Sequence, residues 1–243
     1  MEPEEYARIA AAEDDHWWYR NTRALMRAAL APWLGDGQTI LDAGCGTGGN
    51  GAWLGAHGQV VGVDVAPEAL DFVRGRRPSL RPVRAALDPL PFRDRCFDVI
   101  VEVTVLYSVA DDAAAVRELA RVLRPGGAIL LLEPAFAALR RAHDTTVHSQ
   151  RRYRRAGLVA LAEGAGLRVE RSTYAYSFLA PPALVLGLVD RVRRDPVERA
   201  GSDVERRWLD RVFAPMALVE RRWLARHRVP VGSSALVVAS RPV

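Results

Sequence analysis

The chain has 243 residues, of which 49% are hydrophobic and 26% are charged. This composition is ordinary for a globular protein, and the length suffices for one α/β domain with a buried core. Two cysteines cannot form a disulfide framework, which excludes a small disulfide-stapled domain and suits a reducing compartment. Residues 1–5 are acidic and lack the basic-then-apolar order of a signal peptide, so we expect a cytoplasmic protein.

The net charge of +5 raises the question of a nucleic-acid partner. All 34 basic residues are arginine, and acidic residues are interleaved with them, as at Arg117-Glu118. This pattern is typical of solvated helix surfaces. The usual nucleic-acid-binding motifs do not occur in the sequence. We therefore expect no nucleic-acid partner.

Alternating strand and helix patterns predict a parallel sheet with helices on both faces. The first segment, residues 1–34, holds the aromatic run 16–19, followed after Arg23 by a helix with an apolar face. A helical, arginine-rich insertion is expected at 176–230, before a last strand within 231–243, and residues 35–175 form the core of a single domain. The predicted strands are 38–43, 59–64, 81–84, 97–103, 128–133, 168–174 and 234–240.

Local signals set several of these boundaries. Pro67 suits the first position of a helix, and Asp111 suits an N-cap. The segment Pro125-Gly126-Gly127 is expected to end the helix that Asp111 begins. The third strand is the weakest of the seven predicted strands, because Pro78 and Pro82 bracket it.

A glycine-rich loop follows the first predicted strand, at Asp42-Ala43-Gly44-Cys45-Gly46-Thr47-Gly48-Gly49. Glycines permit positive φ and let the backbone approach a ligand closely, so the loop predicts a nucleotide-like ligand. Its spacing satisfies both the dinucleotide pattern G-x-G-x-x-G and the acidic-x-G-x-G-x-G pattern of S-adenosylmethionine sites. A second strand ends at Asp64, about twenty residues on, where a carboxylate can hold ribose hydroxyls. Both cofactors remain possible at this point.

Three further motifs distinguish the two patterns: Leu90-Pro91-Phe92, then Phe97-Asp98-Val99, then Arg121-Val122-Leu123-Arg124-Pro125-Gly126-Gly127. In this order the series resembles the class I S-adenosylmethionine-dependent methyltransferases that act on small molecules, over roughly residues 15–175. The resemblance implies S-adenosylmethionine as cofactor. It also implies a doubly wound, Rossmann-like α/β fold with a seven-stranded sheet whose last strand is antiparallel.

The same resemblance implies the cofactor-binding residues. The loop Asp42 to Gly48 would hold the methionine part, with Cys45 as a small filler. Asp64 would bind the ribose hydroxyls, and Val65 would pack on the adenine. Ala86 stands where relatives often have an acid that reaches the adenine, so Leu87 or Asp88 would serve instead. The implied cofactor-binding set is Tyr19, Arg20, Asp42, Gly44, Cys45, Gly46, Gly48, Asp64, Val65, Leu87, Glu102 and Val103.

The aromatic run 16–19 resembles the N-terminal lid of these enzymes. An aromatic face there could stabilise a sulfonium by about 0.5–2 kcal/mol, although hydrophobic packing explains at least one of the two tryptophans equally well. Tyr19 and Arg20 are the preferred functional candidates. Arg20 or Arg23 would pair with the methionine carboxylate.

Residues 140–153 resemble an hD...h..RRY element found where acceptors enter. His148, and after it His143, are candidate general bases, since histidine accepts a proton near neutral pH. Trp18, Tyr107, Arg152 and Tyr153 are candidate substrate contacts, and an ion pair of Arg152 with Asp144 is an equal alternative. Relatives often have a histidine where this chain has Ser108, so any role of that histidine is absent.

The expected reaction is methyl transfer to oxygen or nitrogen, less readily carbon, of a small or lipid-like molecule. It requires alignment and exclusion of water, and no metal. Residues 178–189 are apolar, too short to span a bilayer that needs about twenty residues, yet suited to a lipid-like substrate or peripheral membrane contact. Two alternatives remain: a catalytically silent S-adenosylmethionine-binding scaffold, and a nicotinamide-dependent oxidoreductase.

Overall fold

The computed structural model describes residues 3–141, 144, 147–192 and 208–243. Its sheet has seven strands in the order β3-β2-β1-β4-β5-β7-β6. Strands β1 to β5 run parallel, whereas β7 lies between β5 and β6 and is antiparallel to both. The predicted fold is confirmed. The strands are β1 Gln38–Ala43, β2 Gly58–Asp64, β3 Leu80–Arg84, β4 Phe97–Val103, β5 Leu123–Pro134, β6 Arg168–Ala175 and β7 Ser234–Ser240.

Helices cover both faces of this sheet. Pro67 opens its helix as predicted, and the Asp111 side chain accepts a hydrogen bond from the Ala114 N–H at 2.8 Å. The helices are α1 Pro3–Ala12, α2 Trp17–Leu30, α3 Gly51–Leu54, α4 Pro67–Arg76, α5 Asp112–Val122, α6 Arg155–Gly164, α7 Ala180–Val192 and α8 Trp208–Leu224. Single 3₁₀ turns occupy Leu106–Ser108, Ala137–Leu139 and Ser177–Leu179.

Successive residues of the central strands point to opposite faces, which explains why these strands are apolar throughout. Leu41 and Ile100 belong to the hydrophobic cluster on one face. Their neighbours Ile40 and Val99 belong to the cluster on the other. The sheet is therefore buried on both sides, and polar groups at its carboxyl edge need a specific reason to be there.

One predicted boundary is corrected, and the weakest predicted strand is present. Helix α5 ends at Val122, and β5 begins at once at Leu123, so Pro125-Gly126-Gly127 does not end the helix. The reason is that this segment bonds to the C-terminal end of the chain: the Gly126 N–H donates to the Arg241 carbonyl at 2.8 Å. The third strand forms despite Pro82, which β3 tolerates as the edge strand of the sheet.

The N-terminal segment also differs from the prediction. Helix α2 begins at Trp17 rather than after Arg23, and His16 caps it by accepting from the Trp18 N–H at 3.3 Å. The aromatic run is thus the first turn of α2, and Trp17 packs its ring 5.3 Å from that of Phe213. An additional helix, α1, precedes it and buries Tyr6.

Candidate functional site

The glycine loop after β1 turns back on β2. Gly44, Gly46 and Gly48 all have positive φ, at 75°, 50° and 87°. A side chain at Gly44 would collide with Val105, which forces glycine there. A side chain at Gly46 would meet nothing, because this bare stretch of backbone faces open space. The loop therefore presents a cradle that a ligand can approach closely.

Asp64 lies at the end of β2 beside this cradle. Its Oδ2 accepts from the Gly46 N–H and its Oδ1 from the Ala66 N–H, both at 3.0 Å. The next residue, Val65, is 60% exposed, which is unusual for an apolar side chain at a strand end. A carboxylate and a free apolar surface thus adjoin the glycine backbone.

Asp42, the acidic residue of the loop motif, is fully buried at the end of β1. Burial, followed by the charges of Asp64 and Glu13, raises its pKa to about 7. Its Oδ2 has no hydrogen-bond partner within the described part of the chain. Burial also raises the pKa of the Cys45 thiol far above its ordinary value. Cys45 is therefore an inert filler rather than a nucleophile.

The segment after α1 closes over the loop through Glu13, which sequence reasoning missed. The Glu13 carboxylate is buried and accepts from the Thr47 hydroxyl at 2.6 Å. Arg76 and Arg77 donate to its other oxygen at 3.2 and 3.1 Å. In the sequence Glu13 is only the first of a run of acids, so the pattern gives no signal for this role.

The two candidate arginines of α2 have different environments. Arg20 is exposed. Arg23 donates from Nη2 to the Asp14 carbonyl at 3.2 Å, while its Nη1 is buried without a hydrogen-bond partner among the residues described. Burial lowers the Arg23 pKa. Because a buried guanidinium N–H is costly without an acceptor, Arg23 is better placed for an anionic ligand group.

Two tyrosines adjoin these groups. Burial, followed by the charges of Glu13 and Glu5, raises the Tyr19 pKa. Tyr6, which the sequence did not single out, is buried at the inner face of α1. Burial, followed by the charge of Asp64, raises the Tyr6 pKa to about 12. Burial, followed by the charges of Glu133 and Asp144, raises the pKa of Tyr107, and Tyr6 contributes a smaller part.

Two fully buried carboxyl groups, Glu102 on β4 and Glu133 on β5, meet at the carboxyl edge. Glu133 accepts from the backbone N–H groups of Val105, Leu106 and Tyr107 at 2.8, 2.8 and 3.1 Å. Burial raises the pKa of Glu102 to about 6, and burial with the Glu102 charge raises that of Glu133 well above its ordinary value. Glu133 therefore fixes the turn after β4.

The predicted acceptor segment is fastened to that turn. The N–H groups of Gln150 and Arg151 donate to the Tyr107 carbonyl at 3.0 and 3.3 Å. His148 is exposed, and its φ is 54°. The second candidate base, His143, lies outside the residues that the structure describes.

Arg152 and Tyr153 bind other protein groups. Arg152 forms two hydrogen bonds with the buried Asp144, at 2.7 and 2.9 Å. The hydroxyl of Tyr153 donates to Asp112 at 2.7 Å, and its ring is buried in the core. The alternative of an Arg152–Asp144 ion pair is thus present in the structure.

The remaining predicted residues lie as follows. Val103 is buried at the end of β4, and Leu87 is buried between exposed Ala86 and Asp88. Trp18 is half-buried and stacks on Tyr176 with ring centres 6.2 Å apart. Within the described ranges, no three His, Cys, Asp or Glu side chains are grouped to hold a metal ion.

Comparison with known proteins agrees with this geometry. Residues 41–131 match a family described as a methyltransferase domain. The chain is 31% identical to a probable S-adenosylmethionine-dependent methyltransferase of Mycolicibacterium smegmatis, over 86% of this chain and 80% of that protein. A demethylmenaquinone methyltransferase of Tropheryma whipplei is 32% identical over 51% of each chain.

A solved structure shares the fold. It is a putative methyltransferase of Haloferax volcanii, in complex with the Trm112 methyltransferase activator. The TM-score is 0.64 and the identity 23%, over 99% of this chain and 95% of that one.

The chain therefore belongs to the class I S-adenosylmethionine-dependent methyltransferases. It is an enzyme, and its cofactor is S-adenosylmethionine rather than a nicotinamide. The residues present fit this cofactor. Gly46 offers bare backbone, Asp64 a carboxylate beside it, and Arg23 a buried Nη1 without a hydrogen-bond partner among the described residues.

Proposed function

We propose that this enzyme methylates an oxygen or nitrogen atom of a small or lipid-like acceptor, with carbon as a less favoured target. The observation that carries the proposal is that Gln150 and Arg151, which closely follow His148, donate from their backbone N–H groups to the Tyr107 carbonyl. We expect this attachment to hold His148 near the turn that Glu133 fixes, on the side where the acceptor would enter. Bound S-adenosylmethionine supplies an electrophilic methyl group, and an oxygen or nitrogen acceptor must lose a proton.

The cofactor-holding roles follow from the loop. Asp64 would bind the ribose hydroxyls with its remaining lone pairs, and Val65 would cover one face of the adenine. Arg23 would take the methionine carboxylate through Nη1, in preference to exposed Arg20. Asp42, Gly44, Cys45, Gly46 and Gly48 would form the cradle, with Tyr19, Leu87, Glu102 and Val103 around it.

On the acceptor side, Tyr107, Trp18 and Tyr6 would supply aromatic surface. Arg152 and Tyr153 would shape this side through Asp144 and Asp112, because their polar groups already have partners. The lipid-like option is supported by Leu184, Val185 and Leu186 on α7, whose apolar side chains are all exposed.

The base is tested with labelled S-adenosylmethionine on a panel of hydroxyl, amine and apolar acceptors. H148Q should lower kcat about a hundredfold and remove the limb of the pH profile that belongs to a histidine. H57Q is the matched control, because His57 precedes β2 at the opposite edge of the sheet. Its backbone carbonyl accepts from the Gln38 N–H there. An unchanged pH profile in H148Q would contradict the assignment of the base.

The acceptor class is tested separately. L184Q/V185Q should reduce turnover of apolar acceptors while the affinity for S-adenosylhomocysteine stays the same. If turnover of apolar acceptors is unaffected, or if only polar acceptors are methylated by the wild type, the lipid-like option is wrong.

A further inference from the structure

Helix α8 has a buried face and an unusual exposed face. Its buried side is anchored by Glu220, which accepts from the Tyr176 and Ser177 N–H groups, both at 2.6 Å. The outward side carries Val212, Met216, Val219 and Trp223, which are 46%, 42%, 66% and 56% exposed. These four positions, spaced by four, three and four residues, form one continuous line on a helix. We call them the α8 stripe.

A groove runs beside the α8 stripe. It has a volume of about 630 Å³, and its far wall is formed by Phe178, Val229 and Pro230. Phe178 also packs against Phe213 of α8, with ring centres 5.8 Å apart. The apolar surface is therefore wider than one helix, and a monomeric protein seldom leaves such a surface in water without a use.

Basic residues lie along one border of this surface and at its C-terminal end. Arg211, Arg222, Arg226 and Arg228 are all exposed around or just beyond α8. Of the two acids on the helix, Glu220 is buried and bonded to backbone, and Asp210 accepts from the Trp17 N–H. We call these four arginines the basic collar.

We propose that the α8 stripe and its basic collar bind the surface of an anionic lipid bilayer. A helix with apolar and aromatic residues on one side and arginines at its borders lies in the interface of such a membrane. A second copy of the chain fits poorly, because a symmetric contact through the stripe would bring the two basic collars together. Contact would be interfacial, since none of the described helices is long and apolar enough to cross a membrane.

This proposal concerns a surface outside the cofactor cradle, so it does not depend on which acceptor is methylated. It is tested with the full chain and vesicles of phosphatidylcholine, alone or with about a third phosphatidylglycerol, in a sedimentation assay at low salt. We expect at least about tenfold stronger binding to the anionic vesicles, lost at high salt.

Two variants separate the contributions. R222Q/R226Q/R228Q should lose about tenfold or more of the binding to anionic vesicles, whereas V219Q/W223Q should lose binding while keeping the charge. The matched control is R81Q/R93Q/R117Q, which removes the same charge from exposed arginines on other elements and should bind like the wild type. Thermal unfolding and S-adenosylhomocysteine affinity of each variant verify the fold.

A spectroscopic readout covers the case in which V219Q/W223Q fails to fold. The difference between the fluorescence of the wild type and that of W223F gives the emission of Trp223. Brominated lipids should quench this emission, because Trp223 would lie among the acyl chains. The proposal would be overturned by equal binding to neutral and anionic vesicles, or by an unquenched Trp223. It would also be overturned if R222Q/R226Q/R228Q and R81Q/R93Q/R117Q lost the same amount of vesicle binding. A dimer that V219Q/W223Q converts to monomers would overturn it as well, since the stripe would then be an interface between copies.

Discussion

The Thr47 hydroxyl donates to the Glu13 carboxylate across 2.6 Å, joining the glycine loop to the segment after α1. Glu13 also binds Arg76 and Arg77 of the α4 region. One buried carboxylate thus connects the N-terminal segment, the glycine loop and the end of α4, so the N-terminal segment is bonded directly to the loop.

The first prediction concerns this link. E13Q removes the charge from the hydrogen bonds that hold the N-terminal segment on the glycine loop, so we expect the affinity for S-adenosylhomocysteine to fall about tenfold. Calorimetric titration measures this directly. D15N is the matched control, because Asp15 lies on the same segment but is exposed. Equal affinity for S-adenosylhomocysteine in E13Q and the wild type would show that Glu13 does not support cofactor binding.

The second prediction concerns Arg23 of α2, whose Nη1 has no hydrogen-bond partner among the described residues. R23Q should weaken S-adenosylhomocysteine binding about tenfold or more, because a charge-assisted pair with the ligand carboxylate is lost. R20Q should change it little, since Arg20 is exposed. Affinity for adenosine, which has no carboxylate, should be the same in R23Q and the wild type. A loss for both ligands would assign Arg23 a structural role instead.

The third prediction is a pH dependence from the carboxyl pair. The folded-state pKa of Glu102, about 6, lies above its ordinary value of 4.5. The contribution of Glu102 to the free energy of unfolding is therefore complete below about pH 4.5. This contribution, about 2 kcal/mol, is lost as the pH rises through about 6. E102Q lacks this loss and also removes the charge that raises the Glu133 pKa.

Urea unfolding at a series of pH values measures this effect. The free energy of unfolding should decline less steeply in E102Q than in the wild type between about pH 4.5 and 7. Because Asp42 also has a raised pKa, only the difference between the two proteins is diagnostic. If the free energy of unfolding changes with pH in the same way in both proteins, Glu102 does not have a raised pKa in the folded state.

The fourth prediction separates structure from substrate binding at Arg152. Its partner Asp144 is buried, and the Arg152 guanidinium holds the pKa of that carboxyl below its usual value although burial alone would raise it. D144A leaves the largely buried Arg152 guanidinium without its carboxylate partner and should cost about 3 kcal/mol of unfolding free energy. R168Q breaks an exposed pair with Glu170 and should cost less than about 1 kcal/mol. Similar costs for both variants would mean that the Asp144 pair is not structural.

The sequence was sufficient for the fold because its signals were local. Apolar runs mark the strands, Asp111 marks a helix start, and the glycine loop with Asp64 marks the carboxyl edge of β1 and β2. These features need only short-range spacing and binary patterning. The family resemblance then supplied the antiparallel last strand, which no single segment encodes.

What the sequence missed depends on contacts between distant segments. Glu13 meets Thr47 across 34 positions, and Glu133 reaches Leu106 across 27, so neither role has a local pattern. Tyr6 belongs to a helix that was not predicted. The error at Pro125–Gly127 has the same origin, since pairing with Arg241 overrides a sequence that is typical of a helix end.

The most direct test of the cofactor site is calorimetric titration of S-adenosylhomocysteine into the wild type, D64A, G46V and G75A. Gly46 and Gly75 both face open space, but only Gly46 lies in the cradle. We expect D64A to bind about a hundredfold more weakly, G46V not to bind, and G75A to bind like the wild type. Unchanged affinity in D64A and G46V would contradict a cofactor site at this edge of the sheet.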